Sequence, residues 1–343
     1  MNYLVFFSGF VLLTLAVLDL LFTALSPHGA GFITGRLSKA LWRFFLLFSR
    51  NTGTRKMLEL AGAIITAIVL INWLILIWTA CTIMIYSEEN SVMNMETNTP
   101  AGLVSKIYFT GYTLSTMGNG DMEPGDGFWE FFTALFSFSG LILISIAITY
   151  LIPVLSAEIA KRRLSVYITT LGCSATEIIE NNWNGKDIKG LEVHFGRLTP
   201  MIIAHAQNHN AYPILHFYHT SNKKESFVLN LTNLDEAITI MLLHVPEAQR
   251  PSNTETYPLR KAISNYLITI KTAYINPAQE APEIPLLTNF DQLGIPYSAD
   301  QKSIATYYEQ LQDRRKALLG LVQDDGWQWE DLDAGSYDQM FSY

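Results

Sequence analysis

Residues 106 to 124 read Lys-Ile-Tyr-Phe-Thr-Gly-Tyr-Thr-Leu-Ser-Thr-Met-Gly-Asn-Gly-Asp-Met-Glu-Pro, a stretch dense in hydroxyls and glycines between two long apolar runs. It is too short to cross a bilayer and return as two full helices. Irregular backbone at membrane depth is tolerated only where it is buried in protein or lines water. The stretch is therefore expected to form a re-entrant loop whose oxygen-bearing groups meet water. Other residues able to do chemistry are sparse. His205 and His209 are four apart, and His216 and His219 form a second pair. The first spacing can place two imidazoles on one helix face, as metal sites require. With no Cys or carboxylate beside them, both pairs read as packing or surface histidines. No nucleophile–base or metal–carboxylate constellation appears, so an enzyme is not expected.

Three elements must hold the loop. A membrane-crossing helix needs about 20 apolar residues, and three stretches qualify: roughly Tyr3 to Leu25, Leu60 to Tyr86 and Phe131 to Ala157. The first is interrupted only by Asp19, and the other two carry no charge. Met1-Asn2-Tyr3 lacks the basic start of a signal peptide, so the first stretch reads as a retained anchor. Only 16% of all residues are charged, and the deficit falls in the first half. The net charge of −8 argues against a nucleic-acid partner. Cys81 lies in an apolar run and Cys173 in the polar half, an unpromising pair for a disulfide.

Arg36, Lys39, Arg43, Arg50, Arg55 and Lys56 lie between the first two spans, and Lys161-Arg162-Arg163 follow the third. Both clusters belong on the cytoplasmic side by the positive-inside rule. In the loop between the second and third spans Glu88, Glu89, Glu96, Asp121, Glu123 and Asp126 stand against Lys106, and the loop is expected outside. The amino terminus is then outside, and residues 161–343 are cytoplasmic. Asp19 falls near the cytoplasmic end of its span, where it is expected to snorkel to water or pair with a basic loop residue. Ile33, Leu37, Leu41, Phe44, Phe45 and Phe48 recur at helical spacing, with cations largely opposite, which predicts a helix lying flat at the membrane surface.

Thr113-Leu-Ser-Thr-Met-Gly-Asn-Gly-Asp121 resembles the potassium-channel signature Thr-x-x-Thr-x-Gly-x-Gly-Asp, and Pro124 also falls where many members have proline. The resemblance covers roughly residues 58 to 160, from outer helix through pore helix and filter to inner helix. It implies that backbone carbonyls replace the hydration shell of a passing cation. Thr116, Met117, Gly118, Asn119 and Gly120 would form that filter, with Gly118 and Gly120 reaching backbone angles closed to residues with a Cβ. Asp121 is expected to fix the outer mouth by hydrogen bonding behind the filter, and Glu123 and Asp126 to concentrate cations there. A pore helix over Leu103 to Ser115 would aim its negative dipole end at the ion. One loop cannot close a ring, so a homotetramer follows. Two positions depart from the family: Asn119 stands where selective members usually have Tyr or Phe, and Met117 where they have Val or Ile. Tyr108, Phe109 and Tyr112 could brace the filter instead, or the Asn119 amide could hydrogen-bond behind it. Gly140 and Pro153 in the third span are a candidate bending point and kink, with a gate around Ile146 to Leu155.

From about Leu164 the chain is polar and mainly helical in pattern. Ser174-Ala-Thr-Glu177 reads as a capping box. Helices are expected over Asn233 to Leu243, Tyr257 to Ile275 and Ser298 to Val322, the last with Arg314-Arg315-Lys316 exposed; Pro277 to Pro296 reads as a loop. Asp324 to Asp338 carries six acids and no base, a solvated tail rather than a calcium site. No Gly-x-Gly-x-x-Gly follows a strand, so a nucleotide-binding regulatory domain is not supported. The expectation is an all-α membrane protein with a potassium-channel pore domain. Its parts are an N-terminal transmembrane helix (1–27), a basic linker with an interfacial helix (28–57), the pore domain (58–160) and a mainly helical cytoplasmic domain (161–343). Passive potassium transport is the leading reading. A non-selective cation channel, and a scaffold or sensor with a degenerate pore, are the alternatives. No cofactor is expected beyond the permeant potassium or other monovalent cation, and the expected partners are further copies of the chain and the lipid bilayer.

Overall fold

The computed structural model describes residues 1–26, 29–52, 56–273, 275–285, 287, 289–297 and 301–333. The chain divides into two compact units. One comprises 1–45, 61–155 and 211–217, and the other 46–60, 156–210 and the residues from 218 onward.

The first unit is built from long apolar helices. Helix α1 is Tyr3–Leu25, α2 Phe32–Thr52, α3 Lys56–Tyr86, α4 Leu103–Leu114 and α5 Gly127–Thr169. Helices α1, α3 and α5 are long and apolar enough to cross a membrane. Gly9 lets α1 approach α3 closely, since a Cβ there would lie 2.9 Å from the Ala80 carbonyl oxygen.

Asp19 corrects its sequence reading. It is 5% exposed, and its contacts among the described residues are to neutral donors. Its carboxylate accepts from the N–H groups of Ile33 (2.7 Å) and Thr34 (3.2 Å), the Thr34 hydroxyl (2.5 Å) and Trp73 Nε1 (3.1 Å). Those backbone donors belong to the first turn of α2, which has no intrahelical acceptor for them. An anion on α1 thus caps α2 at its positive dipole end. Gly31 keeps the approach open, because a Cβ there would overlap the carboxylate.

Helix α2 buries Thr34, Ser38, Trp42, Phe45 and Ser49. Trp42 packs with its ring 6.0 Å from Phe217. Phe45, expected at the lipid boundary, is therefore inside, whereas Phe44, Leu47 and Phe48 remain exposed together with Arg36, Lys39 and Arg43. A three-stranded antiparallel sheet, which strands this short could not announce by alternation, frames α4. Its strands are β1 (Val92–Asn94), β2 (Thr99–Pro100) and β3 (Met122–Pro124), in the order β2-β1-β3. It ties the chain just before α4 to the chain just after residues 116–121.

The second unit contains α6 (Ala175–Glu180), α7 (Leu191–Ala211), α8 (Phe227–His244), α9 (Asn253–Ala273), α10 (Phe290–Leu293), α11 (Gln301–Gln310) and α12 (Gln312–Asp324). Helix α8 is its centre, buried along almost its whole length and packed by α6, α9, α11 and α12. Ser174 caps α6 by accepting from the Glu177 N–H, but the Glu177 carboxylate takes the Cys173 N–H rather than that of Ser174. Both cysteines are free and buried.

Four sequence expectations fail here, two of them because of a partner distant in the chain. Arg314 and Arg315 are not a surface cluster. Arg315 is buried and pairs with Glu236 at 2.9 Å, while Arg314 and Arg260 both pair with Asp235, at 2.5 and 2.8 Å. The single helix expected from Ser298 breaks at Leu311 into α11 and α12, and residues 298–300 lie outside the described residues. The proline-rich loop holds α10, closed by Gly294 with φ +66°. The acidic tail is not simply solvated: Asp325 pairs with His219 at 2.5 Å and Asp331 with Lys223 at 2.9 Å. Its residues 334–338 lie outside the described residues.

His205 and His209 are buried side by side on α7, with ring centroids 6.2 Å apart, against Tyr266. Burial pushes His205 down to about 3, with Lys161 adding to the effect, so it is neutral at pH 7. Among the described residues no group of three His, Cys, Asp or Glu side chains could hold a metal.

Candidate functional site

The site starts at the end of α4. Two contacts from α3 hold this helix: Trp78 Nε1 donates to the Ile107 carbonyl (3.0 Å) and to Thr110 Oγ1 (3.1 Å), and Thr82 and Thr110 share a hydroxyl bond of 2.7 Å. At the start of the helix Lys106 is 3% exposed, and its ammonium donates to the carbonyls of Glu88 (2.5 Å) and Glu89 (3.0 Å). Sequence reading singled out neither Trp78 nor Lys106 for this role. An indole in an apolar run carries no local mark of the helix it will bond.

After Leu114 the backbone closes in a Schellman turn, with the Met117 N–H donating to the Tyr112 carbonyl and the Thr116 N–H to that of Thr113, both at 3.0 Å. The turn needs a left-handed residue, and Thr116 supplies it at φ +59°. A β-branched side chain is rarely found there, and such strain, typically about 1–3 kcal/mol, clusters at functional sites. Gly118 (φ +60°) and Gly120 (φ +73°) repeat the conformation, while Met117 and Asn119 between them do not. Left-handed residues thus recur at every second position. Nothing lies within 4 Å of a Cβ built on either glycine, so conformation rather than space excludes a side chain. Residues Ser115 through Gly120 are all exposed in the single chain.

Behind this segment the pore-helix aromatics form a brace. The Asn119 amide donates to the Tyr108 hydroxyl. Tyr108 and Phe109 pack edge-on against Tyr112 at 5.1 and 5.3 Å, and the Tyr112 hydroxyl donates to the Met122 carbonyl at 3.1 Å. Both bracing routes suggested by sequence are present together. Asp121 departs from expectation: its carbonyl accepts from Met95 N–H at 3.1 Å, but among the described residues its buried Oδ1 has no hydrogen-bond partner. Glu123 is exposed on β3, opposite Met93. Asp126 Oδ1 accepts from the Trp129 N–H at 3.2 Å and so caps α5.

Helix α5 runs through Pro153 without a break. Ile144, Ile148, Ile152 and Leu155 form an exposed apolar stripe on it. Gly140 has a packing reason beyond the bending point that sequence suggested: a Cβ there would overlap the Leu114 carbonyl oxygen and lie 3.0 Å from Leu114 Cα. The Gly140→Ala variant must push the end of α4 away from α5. The expected loss is about 1–3 kcal/mol of stability, as for overpacking in general, together with displacement of residues 115–120. Thermal unfolding in detergent measures the first; an unchanged unfolding temperature would show that the contact is slack.

A family described as an ion channel matches residues 68–157, an interval running from within α3 to within α5 and containing α4 and the alternating segment. A protein of Bacillus subtilis (strain 168), described as uncharacterized membrane protein YdjJ, is 36% identical over 323 residues, with 94% of each chain covered. No solved structure matches the chain.

Proposed function

From the premise that the chain belongs to the pore-loop cation-channel family, we propose that it forms a potassium-preferring channel in the cell membrane. Four copies surround one axis, and the carbonyls of Thr116, Met117, Gly118 and Asn119 bind the dehydrated ion. The observation that carries this reading is the left-handed backbone at Thr116, Gly118 and Gly120 on a loop exposed in the single chain. Carbonyls turned to one side on a single loop give only part of a coordination shell, and copies around an axis complete it. The Asn119–Tyr108 and Tyr112–Met122 bonds support a filter held from behind without the family's usual aromatic at position 119.

Charge asymmetry of the loops supports an amino terminus and Glu123 outside and residues from 161 onward in the cytoplasm. The gate lies along Ile146 to Leu155 and responds to the cytoplasmic half, because α5 continues as one helix to Thr169.

Purified protein in liposomes tests the reading. With potassium on one side and sodium on the other, the reversal potential of a potassium channel moves by about 59 mV per tenfold change in potassium gradient. Asn119 and Met117 favour one second reading, a non-selective cation pore, which would give a reversal potential near zero. No flux under any gradient would overturn both and leave a scaffold or sensor.

A further inference from the structure

The second unit contains a cavity of about 1050 Å³ that the proposed permeation path does not use. Trp327, 4% exposed, and the half-buried Trp329 form its aromatic wall. Glu280, Glu283 and Glu330 line it as well, and no described lining residue is cationic. Leu46 near the end of α2 and Leu58 on the first turn of α3 add apolar lining.

The walls are built rather than loose. Arg315 donates to the carbonyls of Pro282 and Glu283, each at 2.8 Å, and fixes the loop bearing two of the carboxylates. Its own charge is matched by Glu236, so it does not neutralise the cavity. Its guanidinium lies 5.9 Å from the Trp329 ring, which shows that this indole is placed where a cation can approach. The Gln328 N–H, donating to Asp331 at 2.8 Å, closes the short turn that presents Trp329 and Glu330.

A space of this size suits a small organic molecule. Indole faces attract ammonium cations, quaternary ones most readily because they are weakly hydrated, and the carboxylates add long-range attraction of the same sign. Leu46 and Leu58 give an alkyl stem an apolar surface. We propose that this cavity binds an alkylammonium group, the ammonium between the tryptophans and carboxylates and the carbon chain against the leucines. A free polyamine and an aminophospholipid headgroup share that chemistry. Either occupant would touch the ends of α2 and α3 together.

The test is binding by the full-length protein in detergent at constant potassium chloride, read by calorimetry and tryptophan fluorescence, with no ion flux required. It can therefore fail while the channel reading stands, or hold while that reading falls. The probes are spermidine, tetramethylammonium and dihexanoyl phosphatidylethanolamine, with ATP as the anionic control. Saturable binding of an ammonium probe is expected, weakened about tenfold or more in the triple variant Glu280→Gln, Glu283→Gln, Glu330→Gln and again in Trp329→Leu. The exposed glutamates can be neutralised without unfolding, and an unchanged unfolding temperature verifies it. Preference for spermidine identifies a free amine, and preference for the phospholipid a headgroup. No saturable ammonium binding, binding by both variants as tight as by the unaltered protein, or tighter binding of ATP overturns the proposal.

Discussion

The Gly118→Ala variant is expected to lose more than about 99% of cation flux while remaining folded and inserted. Gly118 sits at φ +60°, and holding an L-residue there costs about 1–2 kcal/mol. Four copies around one axis raise the penalty to about 4–8 kcal/mol, a thousandfold or more against the conducting geometry. No atom of the same chain lies within 4 Å of the added Cβ. The penalty counted here is that of the backbone. D-Alanine introduced at position 118 by semisynthesis has the opposite preference and is expected to restore conduction. Rubidium uptake into liposomes measures both proteins. Normal uptake by Gly118→Ala would remove the left-handed alternation from the mechanism.

Removing one member of the buried Glu236–Arg315 pair is expected to damage the second unit severely. Arg315 is 3% exposed and donates through both Nε and Nη2 to Glu236, at 3.0 and 2.9 Å. Arg315→Met leaves a buried carboxylate without its counter-charge, typically costing about 3–5 kcal/mol. At about 2–4 °C per kcal/mol for a unit of this size, the unfolding temperature should fall by roughly 6–20 °C. The double variant Arg315→Met, Glu236→Leu should recover much of the loss, since a buried pair replaced by apolar groups is often neutral. The variant's pH dependence has a definite sign. Burial pushes the Glu236 carboxyl above its ordinary value even with Arg315 beside it, and removing the guanidinium pushes it further. A raised carboxyl favours the folded state below the unfolded value, about 4.3, and that advantage is lost as pH rises through the folded value. The unaltered protein shares the onset, so the deficit of Arg315→Met relative to it should grow only as pH rises past the already raised Glu236 value of the unaltered protein. A deficit constant across pH would show that Glu236 is not the affected group.

Asp235, the neighbouring residue, behaves oppositely. Burial alone would raise it, but Arg260 and Arg314 outweigh burial and hold it below the ordinary carboxylate range. Two adjacent acids on α8 thus have opposite signs because Asp235, although the more deeply buried, pairs with two guanidiniums and Glu236 with one.

The comparison of sequence and structure turns on range. The bounds of α1 were legible to the residue, and those of α4 to within one, because apolar run length and local capping set them. The glycines at 118 and 120 were legible because the demand for positive φ is a property of the residue itself. Thr116 shares that conformation without the local signal; a turn bonded back to Tyr112 and Thr113 imposes it.

What the sequence determined by itself was the set of three apolar spans, the loop between the last two and the residue types at its tip. Each follows from chemistry within about one helical turn or one span length. What only the tertiary structure decided was where lone polar groups find partners. Asp19 meets Trp73 across 54 residues, and Glu236 meets Arg315 across 79. A charge in a sequence announces that desolvation must be compensated, but not from where. Folding supplies the address, since any donor on any helix that packs alongside satisfies the same acceptor.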